Sequence, residues 1–210
     1  PVVLPKNVVF DMGQVLIHFC PELYIERLGV NEEDSKLLLR EVFRRVEWVQ
    51  LDHGTISEED AVKSINKRVP ERLHRQVEEL VLRWWARPMV PVAGMEELVA
   101  ELKQAGYKLY LLSNASVQQI KYHDRVPGTQ YLDGRIVSAE HKLLKPERAI
   151  YQLLLDTYGL KAEECAFIDD SPANVEAACC MGIHGIVFDE DVPRLRRELK
   201  ELGVEVQIEM

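Results

Sequence analysis

Cys165-Ala166-Phe167-Ile168 is a short apolar run that ends on Asp169-Asp170. Ser171-Pro172 then opens a helical pattern that lasts to Met181 and stops at Gly182, and Gly185-Ile186-Val187-Phe188 is apolar again and ends on Asp189. Nearly continuous apolar character in so short a run predicts a strand covered on both faces, as in a parallel sheet under helices. Ser171 suits an N-cap, Pro172 a first helical position, and Gly182 the left-handed residue that ends a helix. Strand, helix, strand in this order is the unit of a doubly wound α/β fold.

The same grammar holds on both sides of this stretch. Val8-Val9-Phe10 is β-prone and ends at Asp11, and Lys108 to Leu112 is β-prone and ends at Ser113-Asn114. Met95 to Ala105 puts Leu98, Val99 and Leu102 on one helical face before Gly106. Pro146 to Tyr158 lines up Ile150, Leu153 and Leu154, with Pro146 expected at the first helical position and Gly159 as terminator. Residues 21–87 differ: they are charged, helix-prone and without a convincing strand, with Leu37, Leu38, Val42, Leu80, Val81 and Trp84 at helical spacing. Pro88, Pro91 and Gly94 punctuate the return to the α/β pattern. The expected organisation is an α/β core made of residues 1–20 and 88–210, with an all-helical insert over 21–87 after the first strand.

The chain has 210 residues, with Lys plus Arg numbering 26 and Asp plus Glu 35, hence a net charge of −9. An acidic surface repels nucleic-acid backbones and anionic membranes, so neither is expected as a partner, and any anionic ligand needs a local cation. No apolar run approaches the ~20 residues of a membrane span, and residues 1–10 do not read as a secretory signal. Cys20, Cys165, Cys179 and Cys180 match no zinc spacing and read as buried or half-buried free thiols, so the expected compartment is the cytoplasm, as a monomer or homodimer.

Ligands of open α/β sheets gather at the carboxyl ends of the strands. There stand Asp11, Ser113-Asn114 and Asp169-Asp170, with Lys145 just ahead of the Pro146 pattern. Singly, each is an ordinary turn or cap residue. Together, three carboxylates with one Lys and one Ser are costly to bury unless a metal and an anion match them. The set therefore suggests a magnesium–phosphate site, with hard oxygen ligands for Mg²⁺ and a hydroxyl, amides and an ammonium for phosphoryl oxygens.

These residues are also where the chain resembles the haloacid dehalogenase (HAD) superfamily. Val8 to Leu16, Leu111-Leu112-Ser113-Asn114, Lys145-Pro146-Glu147 and Phe167 to Val175 look like its four motifs, in order, and 21–87 looks like its C1 cap. The resemblance implies a Rossmann-like core and a Mg²⁺-dependent phosphatase acting on a small phosphorylated metabolite. It makes Asp11 the nucleophile that forms an aspartyl-phosphate and Lys145 the group that offsets its charge. Ser113 and Asn114 would hold a phosphoryl oxygen. The metal would bind Asp11, the Gly13 carbonyl and Asp170, with Asp169 and Asn174 as further partners. Within the superfamily the likeness is to bacterial α-D-glucose-1-phosphate phosphatases, which suggests a sugar phosphate such as glucose 1-phosphate.

One position departs from the pattern. Phosphatases of this superfamily generally carry a second Asp two residues after the nucleophile as general acid–base, and here that residue is Gly13. Such a group is typically worth 10²–10⁴ in rate. The substrate or a cap group would have to supply the proton, with His18 and His53 as candidates by proximity in sequence. Trp48, Leu51, Asp52, His53 and Gly54 form a helix-to-turn stretch that could face the site, though Trp48 itself reads as cap core rather than a substrate platform; Trp84 and Trp85 likewise read as packing, and His123 and Asp124 touch either substrate or the domain seam. Gly13 also admits two rivals: a metal-free 2-haloacid dehalogenase, and a non-catalytic phosphate- or metal-binding scaffold.

Overall fold

The computed structural model describes residues 2–208. Five parallel strands form the central sheet: β1 (Asn7–Phe10), β4 (Lys108–Ser113), β5 (Gly134–Val137), β6 (Cys165–Asp169) and β7 (His184–Val187), in the order β5-β4-β1-β6-β7. Phe10 pairs with Leu111 on one side and with Ile168 on the other, so β1 lies at the centre. Side chains alternate across a strand, and two apolar clusters follow from that period of two. Val8, Phe10, Leu109, Leu111, Ala166 and Ile168 face one side. Val9, Tyr110, Leu112, Ile136 and Phe167 face the other. Helices cover both faces, which is why the strands read as unbroken apolar runs.

On the first face lie α6 (Met95–Gln104) and α10 (Val192–Glu201), contributing Met95, Leu98, Leu102, Leu195 and Leu199. On the second lie α8 (Arg148–Tyr158), contributing Ile150, Tyr151, Leu154 and Leu155, and α9 (Pro172–Cys180), contributing Ala178. Fully burying one such Leu, Ile or Phe contributes about 1.5–3 kcal/mol. Ser171 caps α9 by accepting from the Asn174 amide at 3.4 Å, and Gly159 ends α8 at a φ of +63°.

The expectation for Pro146 is corrected: α8 begins at Arg148 with Glu147 as its N-cap, and Pro146 follows a cis bond. A turn closed by the Glu147 amide on the Leu144 carbonyl, at 2.8 Å, occupies these residues and aims Lys145 at the sheet rim. Strand β5 carries no sequence signal of its own: Gly-Arg-Ile-Val is short and half polar. Gly134 is needed there because a Cβ would lie 2.3 Å from the Tyr158 ring. Cys179 and Cys180 are exposed, against the expectation of burial, while Cys165 is buried; all four cysteines are free.

Between β2 (Ile17–His18) and β3 (Val90–Pro91), which pair antiparallel, the chain is helical. It forms α1 (Pro21–Glu26), α2 (Glu32–Leu38), a π-helical turn over Leu39–Phe43, α3 (Val46–His53), α4 (Glu58–Asn66) and α5 (His74–Arg83). Its apolar residues Leu38, Val42, Ile65, Val77 and Leu80 join the first-face cluster without a break. Arg68 crosses this bundle to pair with Glu47 (2.6 Å) and Glu41 (2.8 Å), and Arg40 and Arg45 complete Glu41. Arg68 holds the Glu47 carboxyl at about 2, well below the usual carboxylate range. Among the described residues no helix is long and apolar enough to cross a membrane. A short helix, α7 (Gln119–Tyr122), follows β4.

Candidate active site

A cavity of about 260 Å³ opens at the carboxyl ends of β1 and β4, beside Asn174 of α9 and under α3 and α5. Asp11 stands directly after β1, and its amide continues the ladder to the Ile168 carbonyl (2.9 Å). Its Oδ1 accepts from the Met12 amide at 2.8 Å and from Lys145 Nζ at 2.9 Å. The same ammonium donates to Asp169 Oδ2 (2.7 Å) and to the Leu112 carbonyl (2.9 Å), so three acceptors use its three protons. Asp169 is fully buried at the end of β6; the Ser171 amide (2.8 Å) and Asn174 Nδ2 (3.1 Å) also donate to it. Asp170 is the exposed member, and carboxylate oxygens of Asp11, Asp169 and Asp170 all lie within 4.8 Å of one another.

One ammonium does not balance three carboxylates. Burial pushes the Asp11 carboxyl up to about 7, with Lys145 offsetting part of that effect and Asp169 adding to it. Burial and the Asp169 charge likewise raise Asp170. Burial works against the Lys145 charge, but Asp11 and Asp169 outweigh it and the ammonium is held above its ordinary range. Oxygen donors with unbalanced negative charge at this spacing suit a small hard divalent cation.

The structure brings together Asp11, Lys145, Asp169, Asp170 and Asn174, and places Gly13 in the cavity wall beside them. Ser113 is buried as the last residue of β4. The Asn114 side chain accepts from the Lys145 amide (2.8 Å) and donates to the Lys145 carbonyl (3.1 Å), clamping the turn that carries the lysine. That positioning use was not legible from Ser-Asn at a strand end.

Neither histidine weighed as a proton source lines the cavity. His18 faces Glu190 (3.4 Å), and His53 bonds the Lys142 carbonyl (3.0 Å). His123 bonds Gln119 (2.9 Å), and neither it nor Asp124 lines the cavity. Trp84 lines it, whereas Trp85 stacks on Tyr122 and donates to Gln118 (3.0 Å). From the helical side Trp48, Leu51 and Asp52 reach the wall. Ser138, which ties the loop after β5 to α3, was missed because β5 itself was missed.

A haloacid dehalogenase-like hydrolase model matches residues 5–182. The chain is 26% identical over 198 residues to the sesquiterpene phosphatase astK of Aspergillus oryzae, covering 94% of this chain and 96% of that one. It is 26% identical over 188 residues to a phosphorylated carbohydrates phosphatase of Thermotoga maritima, covering 86% and 83%. It spans 64% of the length of the flavin mononucleotide hydrolase 1 of Arabidopsis thaliana, at 24% identity and with 77% of this chain covered. The HAD family enzyme bt-2542 of Bacteroides thetaiotaomicron, solved with magnesium and inorganic phosphate, superposes with a TM-score of 0.64 at 22% identity, covering 89% of this chain and 96% of that one. The ordered strand-end residues, the five-stranded parallel sheet and a match over most of the chain agree: this protein belongs to the haloacid dehalogenase-like hydrolase family.

Proposed function

We propose that this chain is a magnesium-dependent phosphatase that takes phosphate from a small phosphorylated metabolite through an aspartyl-phosphate on Asp11. The observation that carries the proposal is the gathering of Asp11, Asp169 and Asp170 oxygens within 4.8 Å, beside one buried ammonium. Asp11, Asp170 and the Gly13 carbonyl are the assigned metal ligands, backed by Asp169 and Asn174. The ion, when bound, neutralises charge on the transferring group. Asp11 attacks phosphorus, the ester bond breaks, and water then releases inorganic phosphate from the acyl phosphate. Lys145 holds Asp11 in place and offsets the shared negative charge. The Ser113 hydroxyl takes a phosphoryl oxygen together with the backbone amide of Asn114, whose side chain is committed to Lys145. Residues 21–87 act as the cap that closes over the substrate.

The relatives are named for a flavin nucleotide, a sesquiterpene and carbohydrates, so kinship leaves the leaving group open. Ile17, Phe19, Trp48, Leu51, Trp84 and Tyr122 make much of the outer wall apolar. A sugar phosphate such as glucose 1-phosphate would lay one ring face on that wall. An ester with an apolar or aromatic body would use more of it, and the wall favours that class.

Phosphate release from glucose 1-phosphate, benzyl phosphate and acetyl phosphate tests the reading, run with Mg²⁺ and with EDTA. We expect turnover with Mg²⁺, background rates in EDTA, and a loss of at least about 10⁴-fold in Asp11→Asn. Chloride release from a 2-haloacid without metal would instead establish the dehalogenase reading. Thermal stabilisation by Mg²⁺ and phosphate with no turnover would establish the scaffold.

A further inference from the structure

Gly13 leaves the sheet rim without a carboxyl for the leaving group. Packing does not demand the glycine: a Cβ there would meet only Phe19 Cβ at 3.6 Å, an ordinary contact. A fourth carboxyl enters the cavity from the opposite wall. Asp52, next to last in α3, lines it together with Asp11, Gly13 and Lys145. We propose that Asp52 is the general acid–base of this site, supplied from the helical segment in place of an acid at position 13. This rests on the phosphatase reading above.

Three contacts hold the C-terminal end of α3 against the sheet-side loops. Ser138, fully buried after β5, donates its hydroxyl to the Asp52 carbonyl at 2.5 Å and accepts from the Ala115 amide at 2.9 Å. His53 bonds the Lys142 carbonyl, and Gly54, at a φ of +77°, lies so close to Ala139 that a Cβ would sit 2.3 Å from its carbonyl oxygen. The backbone on either side of Asp52 is thereby fixed while its side chain is left to the cavity. The groups that act on the Asp52 carboxyl are Asp11 after β1 and Lys145 before α8, and the carboxyl in turn acts on the Tyr122 phenol on α7. Burial raises its affinity for a proton to about 8, a tendency that Lys145 opposes and Asp11 reinforces. A carboxylic acid protonated near neutrality is what donation to a leaving alkoxide requires.

The step balances. An Asp11 oxygen bonds to phosphorus as the ester P–O bond breaks, and the departing oxygen takes the Asp52 proton to leave as an alcohol. The Asp52 carboxylate then takes a proton from water, whose oxygen bonds to phosphorus as the Asp11–phosphorus bond breaks. Inorganic phosphate leaves, Asp11 is again a carboxylate, and Asp52 is again protonated.

The test compares kcat/KM of wild type and Asp52→Asn on benzyl phosphate and p-nitrophenyl phosphate, two esters of similar size. Benzyl alkoxide needs a proton to depart and nitrophenolate does not, and kcat/KM reports only the steps up to that departure. Asp52→Asn is expected to lose about 10²–10⁴-fold on benzyl phosphate and less than about threefold on p-nitrophenyl phosphate. Equal losses on both esters, or no loss on benzyl phosphate, would overturn the role. A wild-type enzyme inert to both would overturn the phosphatase reading and this one with it.

Discussion

Two groups of acids, each built around buried carboxyls, end in opposite electrostatic states in this molecule. In the helical segment Glu41 and Glu47 meet Arg40, Arg45 and Arg68, and Glu47 is held at about 2. At the sheet rim Asp11 and Asp169 share one Lys145 with Asp170 exposed beside them, Asp52 lines the same cavity as Asp11, and Asp11 is pushed to about 7. The first group is complete: its charges answer one another, and it ties helices together. The second carries negative charge that its one ammonium does not answer, as a site for a cation would. Surplus charge, rather than burial or the presence of an ion pair, is what separates a site from a brace.

The comparison breaks most visibly at Lys145. Lys145→Ala removes the only cation of the rim set and is expected to cost on the order of 10³-fold in kcat on any ester, measured at saturating Mg²⁺. If the rim were a brace like the other group, the loss would appear as lowered stability with kcat intact.

Glu47→Gln probes the complete group. It removes the charge that answers half-buried Arg68, which keeps Glu41, and is expected to cost about 1–3 kcal/mol by urea denaturation while kcat changes less than about twofold. A matching pH effect follows from its lowered carboxyl. Because the folded value lies near 2 and the unfolded value near 4.5, the stabilisation is fully present above 4.5 and is lost as pH falls from there toward 2. In Glu47→Gln that part of the acid dependence of the urea midpoint should flatten.

Ser138→Ala sharpens the boundary between the two regions. Losing the hydroxyl that joins Asp52 to the Ala115 loop is expected to lower kcat/KM by only about tenfold, a cost near 1.4 kcal/mol, and more on benzyl than on p-nitrophenyl phosphate. Equal loss on both esters would make Ser138 a packing residue alone.

What was legible in the sequence follows from what strands and caps require. Three strands of the sheet announced themselves because burial on both faces forces apolar runs, and Asp11, Asp169 and Lys145 could be placed because each sits where such a run or helix meets the rim. β7 was displaced by one residue, since Phe188 is buried just past the last paired position. β5 was silent because an edge strand needs only one buried pair, Ile136 and Val137. The start of α8 was misread because Pro146 serves the turn that aims Lys145. Asp52 was legible only as one member of the stretch from Trp48 to Gly54 expected to face the site, with no chemical role attached to it. Its place over the cavity depends on Ser138 and Gly54 meeting residues far away in sequence, and periodicity carries no trace of such meetings.

The pairing of Ile17 with Pro91 and of His18 with Val90 has a consequence for how this architecture diversifies. Everything between those residues leaves and rejoins the α/β body through a mouth one ribbon wide, so to the sheet it is a single long loop. Its length and internal design are free to change only where they keep the packing on the first-face cluster and the contacts of α3 with the loops after β5. What does change is the chemistry brought down onto the rim from above, an acid included. On the proposed reading the nucleophile stays with the rim, and the segment above it sets which ester is accepted and how its leaving group is protonated.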